Sequence, residues 1–344
     1  MIKFKNKYKF SYKKPPIIIA EISANHNGSK SKFLKLVKLA CLNGADLIKI
    51  QTYEPKDITL NKDYGNFKIK KGIWKGRKLW ELYKKACTPF SWHKEAFKIA
   101  KKYNKEIFSS PFSIRAVDLL ENLGCKIYKI ASFEITDVKL IDYIASKKKP
   151  IIISTGMASL KEIKKAIKII ENYHSEIIIL HCISSYPTEL EDINLQRITI
   201  LKKKFPKYLI GLSDHTDDIY SSIAATQIGV TVIEKHFKIN NYDKTADSSF
   251  SLTPKKLKAL KDVTLQISKS KKRVNKNVEK ISVNLRRSIF TKKNLKKNQI
   301  ITKDNIETLR PSIGICASKY FDIIGKKVKK NIKKGEPLFL KDLV

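Results

Sequence analysis

Acidic residues are in short supply in this chain: 32 aspartates and glutamates stand against 71 lysines and arginines, a formal charge of +39. An imbalance of that size suggests nucleic acid, and a cluster such as Lys269 to Lys276 is where phosphate contacts would be sought. The motifs that nucleic-acid binders need are missing too. No zinc-finger spacing, helix-turn-helix pattern or RNA-binding signature accompanies the charge. Lysine instead runs the whole length of the chain beside isoleucine and asparagine, which reads as a genome-wide codon bias displayed on solvated faces. Its secondary effect is to draw in anionic substrates. Long apolar runs are also lacking, and the opening Met1-Ile2-Lys3-Phe4 leads into nothing like a signal segment. The expectation is a cytoplasmic protein that binds neither membrane nor nucleic acid. Cysteine is scarce as well: Cys41, Cys87, Cys125, Cys182 and Cys316 are odd in number and lack metal-type spacing, which argues for reduced thiols and against a disulfide framework. Cys182 ends an apolar run, and a small core residue is its simplest reading, ahead of a reactive thiol.

What the chain does contain is a series of short, isoleucine-rich runs that finish in polar side chains. Ile17 to Glu21 ends in a carboxylate, Leu47 to Gln51 carries Lys49, and Ile107 to Ser110 ends in hydroxyls. Ile127 to Ser132 carries Lys129, Ile151 to Thr155 ends in hydroxyls, and Ile177 to Cys182 leads into Ser184, Ser185 and Tyr186. Ile210 to His215 and Val232 to His236 each close on a histidine beside an acid. Such β-branched runs suit strands buried on both faces. Helical patterns at Leu34–Leu42, Lys94–Lys101, Ala116–Leu123, Leu160–Ile170 and Ser221–Ile228 lie between most of them. Eight βα units across residues 15 to 265 predict a (β/α)8 TIM barrel, whose active site collects where the strands' C-terminal ends converge. A doubly wound open sheet is the alternative, but it gives no reason for every strand to finish in a reactive group.

Two imidazoles on neighbouring strands are suited to hold a divalent metal, although a lone histidine at a strand end is more often satisfied by the backbone. Lysines inside apolar strands are costly unless an anion meets them, so Lys49 and Lys129 mark an anion site. Asp214 reads as an acceptor that orients His215. After about residue 267 the character changes. Residues 268–284 are charged and short of large apolar side chains, as in a linker, and residues 285–344 form a small module of strands and turns. A unit that small buries little core and is expected to dock onto something. Its Arg310-Pro311 offers a guanidinium for a carboxylate or a polar sugar group.

With these residues assembled, the chain resembles the sialic acid synthase family, bacterial enzymes that condense phosphoenolpyruvate with an amino sugar. The resemblance covers essentially the whole length. It is carried by Ala20-Glu21-Ile22-Ser23-Ala24-Asn25-His26, Ile48-Lys49-Ile50-Gln51-Thr52, Ser109-Ser110-Pro111-Phe112, Tyr128-Lys129-Ile130-Ala131-Ser132, Ser154-Thr155-Gly156-Met157, Gly211-Leu212-Ser213-Asp214-His215 and Ile233-Glu234-Lys235-His236, in the family's order. The C-terminal module is similar to the family's antifreeze-like (SAF) domain. Within the family, Gln51-Thr52-Tyr53-Glu54-Pro55, the stretch Gly72 to Tyr83 and Thr88 to His93 look like the branch that makes pseudaminic acid from a 2,4-diacetamido-2,4,6-trideoxy hexose. Ser184 departs from the N-acetylneuraminate branch, which often carries Asn there.

The resemblance implies a division of labour. His215 and His236 would bind Mn2+, Mg2+ or Co2+. Lys49 and Lys129, with the hydroxyls of Ser110, Ser132, Ser154, Ser184 and Ser213, would hold phosphoenolpyruvate. Gln51, Tyr186 and Asp247 would contact the sugar, Glu234 or Glu21 would handle water, and Arg310 would reach the sugar across a domain-swapped homodimer. The competing readings are an N-acetylneuraminate or legionaminate synthase, a 3-deoxy-aldulosonate-8-phosphate synthase, and a non-enzymatic basic protein binding carbohydrate or nucleic acid. The last leaves the buried lysine and histidine pairs without a reason.

Overall fold

Each apolar run becomes a strand. In the computed structural model, which describes residues 10–271 and 277–344, the strands are β1 (Ile17–Glu21), β2 (Leu47–Thr52), β3 (Glu106–Pro111), β4 (Tyr128–Ile130), β5 (Ile151–Ser154), β6 (Ile177–Cys182), β7 (Leu209–Asp214) and β8 (Val232–His236). They pair in parallel in chain order, and β8 returns to β1 with Ile17 opposite Val232 and Glu21 opposite His236, so the sheet closes into a barrel. An open sheet is thereby excluded. Closure removes both edges and leaves the strands covered on both faces, which is why almost every strand residue is buried.

Helices between the strands start on side-chain caps that the sequence supplies. Ser29, Ser113, Asp137 and Thr253 each accept a backbone N–H of the first turn, and Ser159 forms a capping box with Glu162 ahead of Leu160–Glu171. The five expected helices are present to within a few residues at each end. Val138–Ser146, Gln196–Lys204 and Leu79–Ala86 were not anticipated. Tyr220–Ile228 ends on Gly229 at φ 89°, a left-handed cap that favours glycine. Among the described residues no helix is long and apolar enough to cross a membrane.

The chain divides into two compact units, Met1–Lys271 and Lys272–Val344. The expected linker from residue 268 starts later than proposed, because helix Pro254–Ser270 is anchored by buried Leu257, Leu260 and Thr264 and runs on past 267. Part of that linker, with most of the basic cluster ending at Lys276, lies outside the described residues; Lys280–Val283 forms one short helical turn. The second unit has an antiparallel pair, β9 (Ser288–Thr291) and β10 (Ile306–Leu309). Ile300 and Lys327 add an isolated antiparallel bridge. This unit is small but has its own core, with Ile289, Leu295, Ile301, Ile306, Ile315 and Leu338 among its buried aliphatics.

Barrel packing leaves no room at Gly211 in β7. A methyl there would lie 2.5 Å from Leu180 Cδ2 and 2.7 Å from the Val232 carbonyl oxygen. Gly211→Ala is therefore expected to lower unfolding stability by about 1–3 kcal/mol, as overpacking of a close-packed interior does. Urea denaturation of the two proteins checks it, and equal midpoints would refute the tight contact.

Candidate active site

Charge is concentrated inside the barrel mouth. Lys49 of β2 donates to Glu234 of β8 at 2.7 Å, and Lys129 of β4 reaches both oxygens of the same carboxylate at 2.9 and 2.8 Å. Strands β4 and β8 lie on opposite sides of an eight-stranded barrel, so this contact spans the interior. Ser213 of β7 adds a third donor to Glu234 at 3.0 Å. Lys49 also stands 3.0 Å from Glu21 Oε2 at ion-pair distance, though without hydrogen-bond alignment. The lysines do meet anions, as their burial demands, but the anions are the protein's own carboxylates. Two positive and two negative groups leave the cluster formally neutral. Burial alone would raise the Glu234 pKa, but Lys129 and Lys49 hold it well below the usual carboxylate range. Burial pushes Lys49 down to about 7 against the pull of Glu234, with Lys129 adding to the depression.

Around this cluster the hydroxyls fall as the strand ends suggested. Ser110 and Ser154 are buried with no hydrogen-bond partner among the described residues, and so is the Ser184 oxygen. Ser132 accepts from the Gly156 N–H at 3.1 Å. A Cβ on Gly156 would stand 2.2 Å from Ser184 Oγ and 3.0 Å from Ser132 Oγ, so glycine keeps open a small cradle edged by two hydroxyls. Gln51 donates to Ser23 Oγ at 2.9 Å, and the Ser23 N–H donates to Glu21 Oε1 at 2.9 Å. Buried donors left without partners are costly in a finished core and expected where a ligand completes them.

The two histidines stand at the end of the same strand pair, with ring centroids 5.3 Å apart. His215 Nδ1 donates to the Ile183 carbonyl at 2.9 Å; a carbonyl can only accept, so that nitrogen carries a proton and Nε2 is the one that holds the lone pair when the ring is neutral. His236 Nδ1 lies 3.6 Å from Asp247 Oδ2 and has no hydrogen bond among the described residues. Among the described residues no three His, Cys, Asp or Glu side chains form a metal cage. Two imidazoles, one held through its Nδ1 and one with its Nδ1 unpartnered among the described residues, nonetheless suit a borderline dication that takes its other ligands from substrate and water. Tyr186 packs on His215 with centroids 4.4 Å apart, Phe250 on His236 at 4.8 Å, and Trp74 on Tyr186 at 5.7 Å. Trp74 Nε1 donates to the Ala246 carbonyl at 3.2 Å, tying the loop before helix Leu79–Ala86 to the loop that carries Asp247. Asp247 itself is buried and accepts from the Ala24 N–H at 3.2 Å.

One expectation is corrected. Asp214 is not the acceptor for the His215 ring, which is bonded to the Ile183 carbonyl instead, because strand alternation points Asp214 out of the barrel, away from the imidazole. There it pairs with Lys235 at 3.3 Å and accepts from Thr216, Ser221 and Ser222. Cys182 is buried with its sulfur 3.8 Å from His215 Nδ1. Arg310 belongs to the second unit, where it is exposed at the end of β10. Sequence reasoning missed Trp74, Phe250, Lys235 and Glu134. Lys235 had a visible signal, a lysine within an apolar strand beside Glu234; the aromatics had none, since only folding brings them to the histidines. Glu134 follows β4 and Ser132, and its Oε2 is buried without a partner.

The NeuB family profile matches residues 36–276 and the SAF domain profile residues 286–344. The chain is 41% identical over 334 residues to the pseudaminic acid synthase of Campylobacter jejuni, spanning 96% of this chain and 97% of that one. It is 37% identical over 331 residues to the same species' N,N'-diacetyllegionaminic acid synthase, with 94% and 98% covered. Among solved structures, the N-acetylneuraminic acid synthetase of Leptospira borgpetersenii superposes with a TM-score of 0.73 at 30% identity, over 82% of this chain and 94% of that one.

Burial raises the Glu134 carboxyl to about 7 from its ordinary 4.5. A pKa raised on folding contributes stability that is present below the unfolded value and lost as pH rises through the folded one. Stability should therefore fall between about pH 4.5 and 7 on this account, and Glu134→Gln should flatten that part of the profile. Urea midpoints of both proteins at pH 5 and pH 8 check it; an unchanged difference between them would refute the assignment.

Proposed function

This chain belongs to the NeuB family, and from that premise we propose that it condenses phosphoenolpyruvate with a 2,4-diacetamido-2,4,6-trideoxy hexose and water, giving pseudaminic acid and phosphate. The observation that carries the reading is the buried lysine pair on Glu234, ringed by the unpartnered hydroxyls of Ser110, Ser154 and Ser184. A compact anion with several oxygens is the ligand such donors fit. Its phosphate and carboxylate take Lys49 and Lys129 over from the internal carboxylates, and the hydroxyls of Ser132 and Ser213 complete the shell. His215 and His236 would hold a divalent metal, Mn2+, Mg2+ or Co2+, which when bound supplies Lewis-acid polarisation of the sugar aldehyde. Tyr186, Gln51 and Asp247 orient the open-chain sugar.

The reaction joins C3 of phosphoenolpyruvate to the aldehyde carbon, and the aldehyde oxygen takes up a proton. C2 is left as an oxocarbenium ion. Water adds there, loses a proton, and phosphate departs with cleavage of the C–O bond. Glu234, freed by the arriving anion and kept ionised by its cationic surroundings, accepts a hydrogen bond from that water and orients it; Glu21 beside Lys49 is the second carboxylate in reach of the role. The sugar is assigned from the pseudaminic-type segments Gly72 to Tyr83 and Thr88 to His93, and a legionaminate-type sugar is the second reading, carried by the 37% identical relative. The proposal extends to a homodimer in which the second unit of each chain brings Arg310 to its partner's sugar.

Phosphate release from phosphoenolpyruvate in the presence of the stereoisomeric diacetamido sugars, N-acetylmannosamine and no sugar tests the function. The expected outcome is release with the pseudaminic precursor above all others, abolished by chelation and restored by Mn2+. Release with N-acetylmannosamine alone would overturn the sugar assignment, and full turnover after metal stripping would overturn the role given to the histidines.

Lys129→Ala should raise the Michaelis constant for phosphoenolpyruvate about ten- to a hundredfold, the worth of one charged hydrogen bond of about 1.5–3 kcal/mol, and move the sugar constant far less. Mixing that chain with Arg310→Ala should recover activity after subunit exchange, since one site of a mixed dimer then carries neither lesion. No recovery after verified exchange would remove Arg310 from the partner's site.

A further inference from the structure

We infer that the outward-facing ion pair of Asp214 and Lys235 is a positioning device for His215 and His236. The inference rests on the reading of those histidines as metal ligands. It begins with register. In the β7–β8 ladder Ser213 stands opposite Glu234 and Asp214 opposite Lys235. Side chains alternate along a strand, so Ser213 and Glu234 meet inside the barrel while Asp214 and Lys235 meet behind the sheet, under the start of helix Tyr220–Ile228. Each member of the outer pair immediately precedes one histidine.

The contacts of that pair converge on the backbone around His215. Asp214 Oδ1 accepts from the Thr216 N–H at 2.9 Å and from its hydroxyl at 2.8 Å, and Lys235 Nζ donates to the Thr216 carbonyl at 2.6 Å. Asp214 Oδ2 accepts from Ser221 and Ser222, both at 2.5 Å, which fastens the pair to the helix. His215 is thus held between two residues that are both tied to Lys235, the neighbour of His236. The His215 carbonyl accepts from the Thr188 N–H at 3.0 Å and its ring is fixed by Ile183, so little freedom remains.

Stability alone does not explain the arrangement. Both charges are fully buried, and an ion pair in that setting is often no better than well-packed apolar residues of similar volume. What it offers instead is direction: four donors and a cation fix one carboxylate, and through it the spacing of two side chains on the other face of the sheet. Groups that orient metal-binding imidazoles commonly change metal affinity about 10- to 100-fold when removed.

The test measures Mn2+ dissociation constants on the full-length chain without substrates, reading free Mn2+ by electron paramagnetic resonance. Asp214→Asn combined with Lys235→Met removes both charges and strands neither. It is expected to keep the wild-type melting temperature within a few degrees and to weaken Mn2+ binding about tenfold or more. Thr216→Val keeps both charges and removes only the shared hydroxyl; it serves if the double variant does not fold, and a smaller loss, about threefold, is expected. Ile170→Val, a buried change in helix Leu160–Glu171, should lower stability and leave Mn2+ affinity alone. Wild-type affinity in the folded double variant or in Thr216→Val would overturn the inference, as would an equal loss in Ile170→Val. His236→Ala separates the two levels: if it binds Mn2+ like the wild type, the metal reading fails and this inference with it, whereas loss there with none in the outer variants defeats the inference alone.

Discussion

The site is organised by one unfavourable act, the removal of two lysine ammonium groups from water into the interior of a closed barrel. Lys49 and Lys129 are buried, and desolvation of each costs several kcal/mol unless counter-charge and hydrogen bonds replace the lost water. Glu234 and Glu21 supply that charge, and Ser213 supplies a further donor to the shared carboxylate. Because the partners come from β1, β2, β4, β7 and β8, the balance holds only when the barrel is closed. The same balance makes the cluster exchangeable. On the proposed reading a substrate anion entering the mouth would replace one set of negative oxygens with another, and the unpartnered serine hydroxyls would take the oxygens that carboxylates cannot fill.

A second ionic layer lies behind the sheet. Asp214 and Lys235 are paired there, and strand alternation puts the residues that follow them, His215 and His236, on the inner face. Inside and outside layers thus share β7 and β8 while serving different purposes. On the proposed reading the inner groups would meet the ligand and the outer ones would keep the inner ones in place.

Around the histidines the wall is aromatic. Tyr186, Phe250 and Trp74 pack in sequence over His215 and His236, and the Trp74 indole N–H fastens its loop to the Ala246 carbonyl. On the proposed reading these aromatic faces would exclude water from the place where an oxocarbenium ion forms and would give an amino sugar apolar surfaces to lie against.

Much of this was written locally. Isoleucine-rich runs of four to six residues fixed every barrel strand, because β-branched side chains suit strands covered on both faces. The polar residue closing each run located the mouth, since parallel strands of a barrel end at one rim. Capping serines set several helix starts within a residue or so. Only the tertiary structure decided which charges meet. From the sequence, Lys49 and Lys129 needed an anion, but nothing local said that Glu234, 105 residues beyond Lys129, would be that anion. Asp214 looked like a partner for its neighbour His215, yet alternation sends adjacent strand residues to opposite faces, and its true partner sits across the ladder. The arrival of Trp74 and Phe250 at the histidines is likewise a matter of loop paths, which periodicity does not encode. Local sequence determines which groups are buried and at which end of the barrel they stand; the closure of the sheet determines which of them touch.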